Sequence, residues 1–307
     1  MIWLRVRCVF AFIVFSMAIP GCGGSESGGN TGRISVGVSD APMHDAVKIC
    51  IAFDQIELKP KDGPPILVEE LLAAKQTINV NLLEFPGMNA APLLMDYEVP
   101  AGEYLWLRLG VNAAEGGTGG VNDNALAMEC QGDESYLALK NGGIHNLYIP
   151  SGAESGLKLT GSIIIPQGGE ADFTAEIDLA KSVAYPGGLA PDAIFRPTMR
   201  LVNNAEVGAI TGKVDASLIV DGCKPTAYIF EGDTLAVEPT VDNALASALV
   251  QEQTNNLAET EYHYTVGFLL PGSYGAAFSC DDGATLRLSG DNPVGVVVNE
   301  VATANFP

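Results

Sequence analysis

The sequence predicts an all-β protein built from two β-sandwich domains. Three observations carry that expectation. Apolar and polar residues alternate with a period of two through most of the chain after residue 33; 35 glycines and 18 prolines punctuate these runs; and only 17% of the 307 residues are charged, too few for long solvent-facing helices. The length allows two domains that each bury a core, and an apolar content of 47% supplies the material.

The opening residues, MIWLRVRCVFAFIVFSMAIPGCGG, precede the β pattern. Arg5 and Arg7 lead into an apolar run from Cys8 to Ile19, the layout of a secretory signal, and the run is too short for a stable membrane span. Ile19-Pro20-Gly21-Cys22 resembles the lipobox of bacterial lipoproteins, with Pro20 where a small residue is usual. The resemblance implies removal of residues 1–21 and diacylation of Cys22. Residues 22–33, with GGSESGGNTG after the cysteine, read as a flexible polar tether. Gly23 is not the aspartate of an inner-membrane retention signal, so the expected place is the outer membrane, facing either the periplasm or the exterior.

From Arg33 the strands follow in order. RISVGVSDAP sets Ile34, Val36 and Val38 on one face and turns at Asp40-Ala41-Pro42. VKICIAFDQIEL directs Val47, Ile49, Ile51 and Phe53 inward and Cys50 outward. LVEELLAAK reads as a short helix or as strand and loop. TINVNLLEF and YLWLRLGVNA are strands. In the latter, Leu105, Leu107 and Leu109 are expected in the core, which gathers Tyr104, Trp106 and Arg108 on the opposite face. Residues 112–133 read as a long Gly-rich loop carrying Cys130. GIHNLYIPSG, the run from Leu157 to Val183 and FRPTMRLVNN add strands.

After the polar join NNAEVG, a second β run contains GAITGKVDASLIV, TAYIFEG, YHYTVGFLLPGSYGAAFSC and NPVGVVVNEVATANF. There Tyr274, Ala276, Phe278 and Cys280 share a strand face. Thr240 to Thr260 is the least strand-like part and reads as a helical or mobile insertion. VPAGEYLWLRL and LLPGSYGAAFS echo one another, which recurring turn chemistry and duplication explain equally well.

Cys50, Cys130, Cys223 and Cys280 form an even set in an exported chain and allow three connectivities. With a boundary near residue 205, Cys50–Cys130 and Cys223–Cys280 is the economical choice. A metal site is the alternative reading, but no C-x-x-C and no nearby histidine pair supports it.

Removing residues 1–21 takes away two positive charges and no acid, which moves the formal charge from −21 to −23. Such a field repels polyanions, so nucleic acid is not an expected partner. Calcium or a cationic surface would be welcome, but a soluble acidic envelope protein with no specific cation site is the favoured reading.

VGVSDAP, AFDQIELKP, VPAGEYLWLRLGV, the run from Pro150 to Val183 and FRPTMRLV, in this order, resemble the bacterial lipoprotein family catalogued as domain of unknown function 4382, over residues 34–204. That family carries no assigned activity, so the resemblance implies no catalytic residues. The pattern GAITGKV, LLPGSYGAAFSC and NEVATANF, within residues 208–307, resembles the transthyretin-like modules of carboxypeptidase regulatory and carbohydrate-binding-like domains, a likeness of fold alone.

Chemistry-bearing motifs are sparse. Ser155-Gly-Leu-Lys158 fits S-x-x-K, but it precedes a strand and lacks the partner motifs of penicillin-recognising enzymes. His44, His145 and His263 have no ligand spacing. Gly116 to Gly120 lacks the Lys-Ser/Thr of a phosphate loop. Asp40, His44 and Asp45 offer oxygens and a ring nitrogen around one turn, though an aspartate before a proline commonly caps its own turn.

No catalytic residue, cofactor or metal is therefore expected. The expected function is that of a non-catalytic binding module, with carbohydrate or envelope glycan as ligand on the face of Tyr104, Trp106 and Arg108. The alternative is a structural or assembly component whose partner is another envelope protein. The other expected partner is the membrane, through the lipid anchor.

Overall fold

The computed structural model describes residues 30–41, 43–68, 77–113, 129–132, 134–150, 156–184, 192–232 and 239–307. The leader, Cys22, most of LVEELLAAK, most of the Gly-rich stretch and Ser155 lie outside these residues. The described residues are nearly all β, arranged as two sandwiches.

The first sandwich contains β1 (Thr31–Ala41), β2 (Ala46–Pro60), β3 (Ile66–Leu67), β4 (Ile78–Asn81), β5 (Ala91–Pro100), β6 (Gly102–Asn112), β7 (Tyr136–Leu139), β8 (Ile144–Tyr148), β9 (Leu157–Ile165) and β10 (Glu170–Asp178). A single helical turn, α1 (Leu179–Ser182), leads to β11 (Val183–Ala184), β12 (Ala193–Phe195) and β13 (Thr198–Asn203). One sheet has the order β13-β10-β1-β5; the other runs β11-β12-β8-β7-β2-β6-β9, with β3 and β4 also paired to β2. Ile34, Val36 and Val38 of β1 meet Ile49, Ile51 and Phe53 of β2 and Leu107 and Leu109 of β6 in one core.

Irregular register changes which side chains enter that core. Along β2 the pairing with β6 shifts between Phe53 and Gln55, which moves the inward phase by one residue to Ile56 and Leu58. A second shift, between Ala46 and Lys48, leaves Val47 54% exposed where alternation alone puts it inside. On β6 the register against both neighbours shifts between Tyr104 and its second successor Trp106. Tyr104 is consequently buried and Leu105 is 44% exposed, the reverse of the alternation expected there. Asp40 does not cap a turn either: β1 keeps its parallel register with β10 through Ala41 and Asp178, and Asp40 is buried.

The second sandwich comprises β14 (Gly208–Val214), β15 (Thr226–Glu231), β16 (Ala246–Leu249), β17 (Gln251–Thr254), β18 (Thr260–Leu269), β19 (Gly272–Ser279), β20 (Arg287–Leu288), β21 (Val294–Val296) and β22 (Val301–Thr303). Its sheets are β17-β18-β14-β22 and β16-β15-β19-β20, with β21 on β19. Tyr274, Ala276 and Phe278 lie in its core as alternation requires, with Cys280 packed against them. The stretch from Thr240 to Thr260, read from sequence as an insertion, supplies β16 and β17. Ala246 and Ala248 are small core residues, and Gln251–Thr254 is polar on both faces because this edge strand is wholly exposed.

The disulfides join Cys50 to Cys130 and Cys223 to Cys280, with Cα atoms 5.6 Å and 4.5 Å apart. Cys50, paired across the sheet with Tyr136, packs with Tyr136 and Cys130 in a small cluster separate from the main core. The sequence echo also has a structural counterpart. The Tyr104 hydroxyl donates to the Pro100 carbonyl at 2.6 Å, and the Tyr274 hydroxyl to the Leu270 carbonyl at 2.7 Å, each four residues back across a tight turn. Among the described residues no helix is long and apolar enough to cross a membrane.

Candidate functional site

β6 lies between β2 and β9, so its outer face is flanked on both sides. Trp106 sits opposite Lys59 on β2 and Thr160 on β9, and Arg108 opposite Glu57 and Lys158. Arg108 forms an ion pair with Glu57, both partly buried. The Lys158 ammonium lies 4.7 Å from the Trp106 ring centroid and the Arg108 guanidinium carbon 5.9 Å from it, within cation–π range. The expected trio of Tyr104, Trp106 and Arg108 is thus not one face: the bulge sends Tyr104 into the core, and Lys158 takes its place beside Trp106. Lys158 was visible in sequence only through S-x-x-K. Its position next to Trp106 depends on the β6–β9 register, which no local pattern specifies.

Trp106 is half-buried, so part of its ring meets solvent, with Lys158 and Arg108 beside it. Lys59 spends its ammonium on the carbonyls of Pro60 and Gly63. Lys158 is exposed and makes no ion pair among the described residues. The face can take a flat apolar surface against the indole and an acceptor or anion at Lys158.

The turn carrying His44 and Asp45 leads elsewhere, into a cleft of about 490 Å³ between the sandwiches whose lining includes Met43, Asp178, Tyr228 and Asp242. His44 Nε2 is 2.7 Å from Thr226 Oγ1, and Thr226 Oγ1 donates to the Lys224 carbonyl at 3.2 Å. With the hydroxyl proton on that carbonyl, Nε2–H donates to Thr226, the opposite polarity from an activated nucleophile. Burial, and then the Lys140 charge, hold the His44 pKa below 6.5, so the ring is neutral. Lys181 Nζ donates to the Ala244 carbonyl at 2.5 Å and lies 3.3 Å from Asp178. Lys224 Nζ reaches Asp282 at 2.8 Å and Asp45 at 3.4 Å. These cations link one sandwich to the other.

Asp40 is 2% exposed, and neither carboxylate oxygen has a hydrogen bond of good geometry. Burial first, then the charges of Asp178 and Glu176, push its pKa well above the usual carboxylate range, offset only in part by the Leu179 amide. Glu176 is also raised by burial, although Arg200 pairs with it. Among the described residues no group of three His, Cys, Asp or Glu side chains is placed to hold a metal ion. The structure thus does not bring Asp40, His44 and Asp45 together as ligands: Asp40 closes a strand, and the other two face the second sandwich. Lys213, at 3.0 Å, and then His263, at 2.9 Å, bond Glu261 and hold its carboxyl down at about 2.

A family model described as Domain of unknown function (DUF4382) matches residues 31–197. The match stops before the second sandwich, whose transthyretin-like likeness rests on its sequence pattern alone. No curated protein matches the chain. Among solved structures, the Bacillus anthracis TIE protein aligns over 90% of this chain and 34% of its own length, at 8% identity and a TM-score of 0.18. This chain therefore spans about a third of that protein. A candidate cell adhesion protein from Bacteroides fragilis aligns over 89% of this chain and 92% of its own at 9% identity and a TM-score of 0.22. GBS52, the minor pilin of Streptococcus agalactiae, aligns over 89% and 94% at 9% identity and 0.17. Superpositions this loose carry no assignment.

Proposed function

The chain belongs to the DUF4382 family, and on that premise we propose that it is a lipid-anchored, non-catalytic binding module of the cell envelope whose ligand face surrounds Trp106. The family assigns no reaction, so the reading stands on this chain's own chemistry. Export is supported by two disulfides, which persist in oxidising compartments, together with the leader of residues 1–21 that precedes Cys22. The lipobox-like Ile19-Pro20-Gly21-Cys22 and Gly23 support outer-membrane attachment through Cys22.

The observation that carries the binding face is the half-exposed Trp106 with the Lys158 ammonium over its ring. A sugar ring presents C–H groups to an indole and hydroxyls or a carboxylate to a lysine, so a cell-envelope glycan is the proposed ligand class. Trp106 is the single tryptophan left once residues 1–21 are removed, and its emission reports this face alone. Titration with envelope oligosaccharides should shift or quench that emission, and Trp106→Ala should abolish binding while leaving the circular dichroism unchanged. Emission that every oligosaccharide leaves unaltered refutes the glycan reading.

A second reading is favoured by β9, the terminal strand of its sheet path, directly beside Trp106. No described strand pairs with its outer edge, which offers backbone groups to an added strand from another envelope protein. Binding of a protein partner that Trp106→Ala spares, with no glycan bound, selects this reading.

A further inference from the structure

The two ends of the molecule stand in different relations to Cys22. The described chain begins at Asn30, whose carbonyl accepts from the Ala101 amide at 2.7 Å, and Thr31 then pairs with Pro100 at the start of β1. The Lys61 amide donates to the Glu103 carbonyl and the Gly168 amide to the Thr31 carbonyl, both at 2.8 Å. The turns at residues 61–64, 100–103 and 166–169 therefore meet at the end where the chain enters. From there the 11 residues of β1 carry the chain on the order of 35 Å.

Contacts with the second sandwich gather toward the other end. His44 and Asp45 follow β1, Lys181 follows β10, and Gly87 precedes β5. The direction of the second sandwich can be read from β18. Phe268 packs with Ala90 and Val202, whereas Gly87 lies against Thr265. Ala91 pairs with Val38, and Pro86 bridges to Asp40, so passing from Phe268 back to Thr265 follows the direction of β1 away from Asn30. The β17–β18 hairpin continues that course to Leu257, which is 77% exposed. Adding the strand rises puts Leu257 on the order of 50 Å from Thr31.

Seven residues, 23–29, separate Cys22 from Asn30. They reach at most about 25 Å fully extended and roughly 15 Å as a coil. We propose that the end closed by the turns at 61–64, 100–103 and 166–169 is the face turned to the lipid surface, and that the hairpin bearing Leu257 is, among the described residues, the part farthest from it. This rests on Cys22 being the anchor. The tether is shorter than the body, so the entry end cannot leave the bilayer's vicinity. The net negative charge is repelled by anionic headgroups, which keeps the body from lying on its side.

The test uses the mature lipidated protein in phosphatidylcholine–phosphatidylglycerol vesicles carrying a rhodamine-headgroup lipid. A single cysteine, Asp62→Cys or Leu257→Cys, carries a fluorescein donor; both sites are exposed, and Cys50, Cys130, Cys223 and Cys280 are already paired. Energy transfer to the bilayer should be several-fold more efficient from position 62 than from position 257. Pro64→Cys and Asn256→Cys form a second exposed pair should either labelled variant fold poorly. Equal or reversed transfer in protein that floats with the vesicles overturns the polarity alone. Protein that does not float with vesicles overturns the anchor, and the polarity with it.

Discussion

Asp40 is buried because β1 stays in parallel register with β10 to its last residue, next to Asp178 and one residue beyond the level of Glu176. Its folded pKa is raised, so the native state prefers the protonated acid. The sign follows: the contribution to stability is fully present below the unfolded carboxylate value near 3.8 and is lost as pH rises through the higher folded value. Asp40→Asn keeps the shape and removes the charge. Thermal melts should show the variant gaining on the parent protein as pH rises from 4 to 8, by about 1–3 kcal/mol at the upper end, the scale of an unsatisfied buried polar group. A difference that does not change with pH would place the titration elsewhere. His44 runs the other way: its pKa is lowered, so its contribution to the domain contact is present above 6.5 and is lost as pH falls through the folded value. Neither shift was legible in the sequence. SDAPMHDA looks like one polar turn, and only the length of β1 separates its buried acid from the residues that face the cleft.

At the scale of elements, alternation found strands whose buried face is regular and built of large apolar residues, as in β1 and β19, and missed β16, whose buried residues are small alanines. It failed at β17, where both faces see solvent, and it misplaced Val47, Tyr104 and Leu105, because a bulge inserts one residue and reverses the phase without altering composition. The candidate site suffered from the same cause: Trp106 and Arg108 were legible, while Lys158 needed the cross-strand register. The echoed turn was legible as a motif but not as a bond. Because Tyr104 and Tyr274 each donate to a carbonyl four residues back, Tyr104→Phe and Tyr274→Phe should each cost about 0.5–1.5 kcal/mol in urea unfolding. A null effect in either would show that the hydroxyl is equally satisfied by water. The disulfides act on the same scale. They close chains with sequence separations of 80 and 57 residues, and loss of either should cost about 4 kcal/mol in the chain-entropy account, measured by unfolding of paired Cys→Ala variants.

The whole molecule depends on how closely the sandwiches approach. Their contact combines the small apolar cluster of Val202, Val207, Phe268 and Ala90 with three polar links, from His44 to Thr226, Lys224 to Asp45 and Lys181 to the Ala244 carbonyl. Only Lys224–Asp45 is an ion pair, and an exposed pair contributes little, while the other two links are single hydrogen bonds, so close backbone packing decides whether the contact persists. The backbones approach closely at Gly267, where a Cβ would meet the Gly87 carbonyl oxygen at 2.4 Å and the Met88 Cα at 3.0 Å. Those atoms are backbone and cannot swing aside as a flexible side chain would. Gly267→Ala should therefore push the sandwiches apart while both cores remain intact, since Val266 and Leu269 still face the second core. Small-angle scattering should show a larger radius of gyration, and calorimetry a widened gap between the unfolding of the two sandwiches. Gly295→Ala is the control, because a Cβ at Gly295 meets nothing within 4 Å. If Gly267→Ala leaves the scattering and the melting profile as they were, the contact is loose enough to absorb a methyl group. The fixed course of the second sandwich away from the entry end would then lose its structural basis.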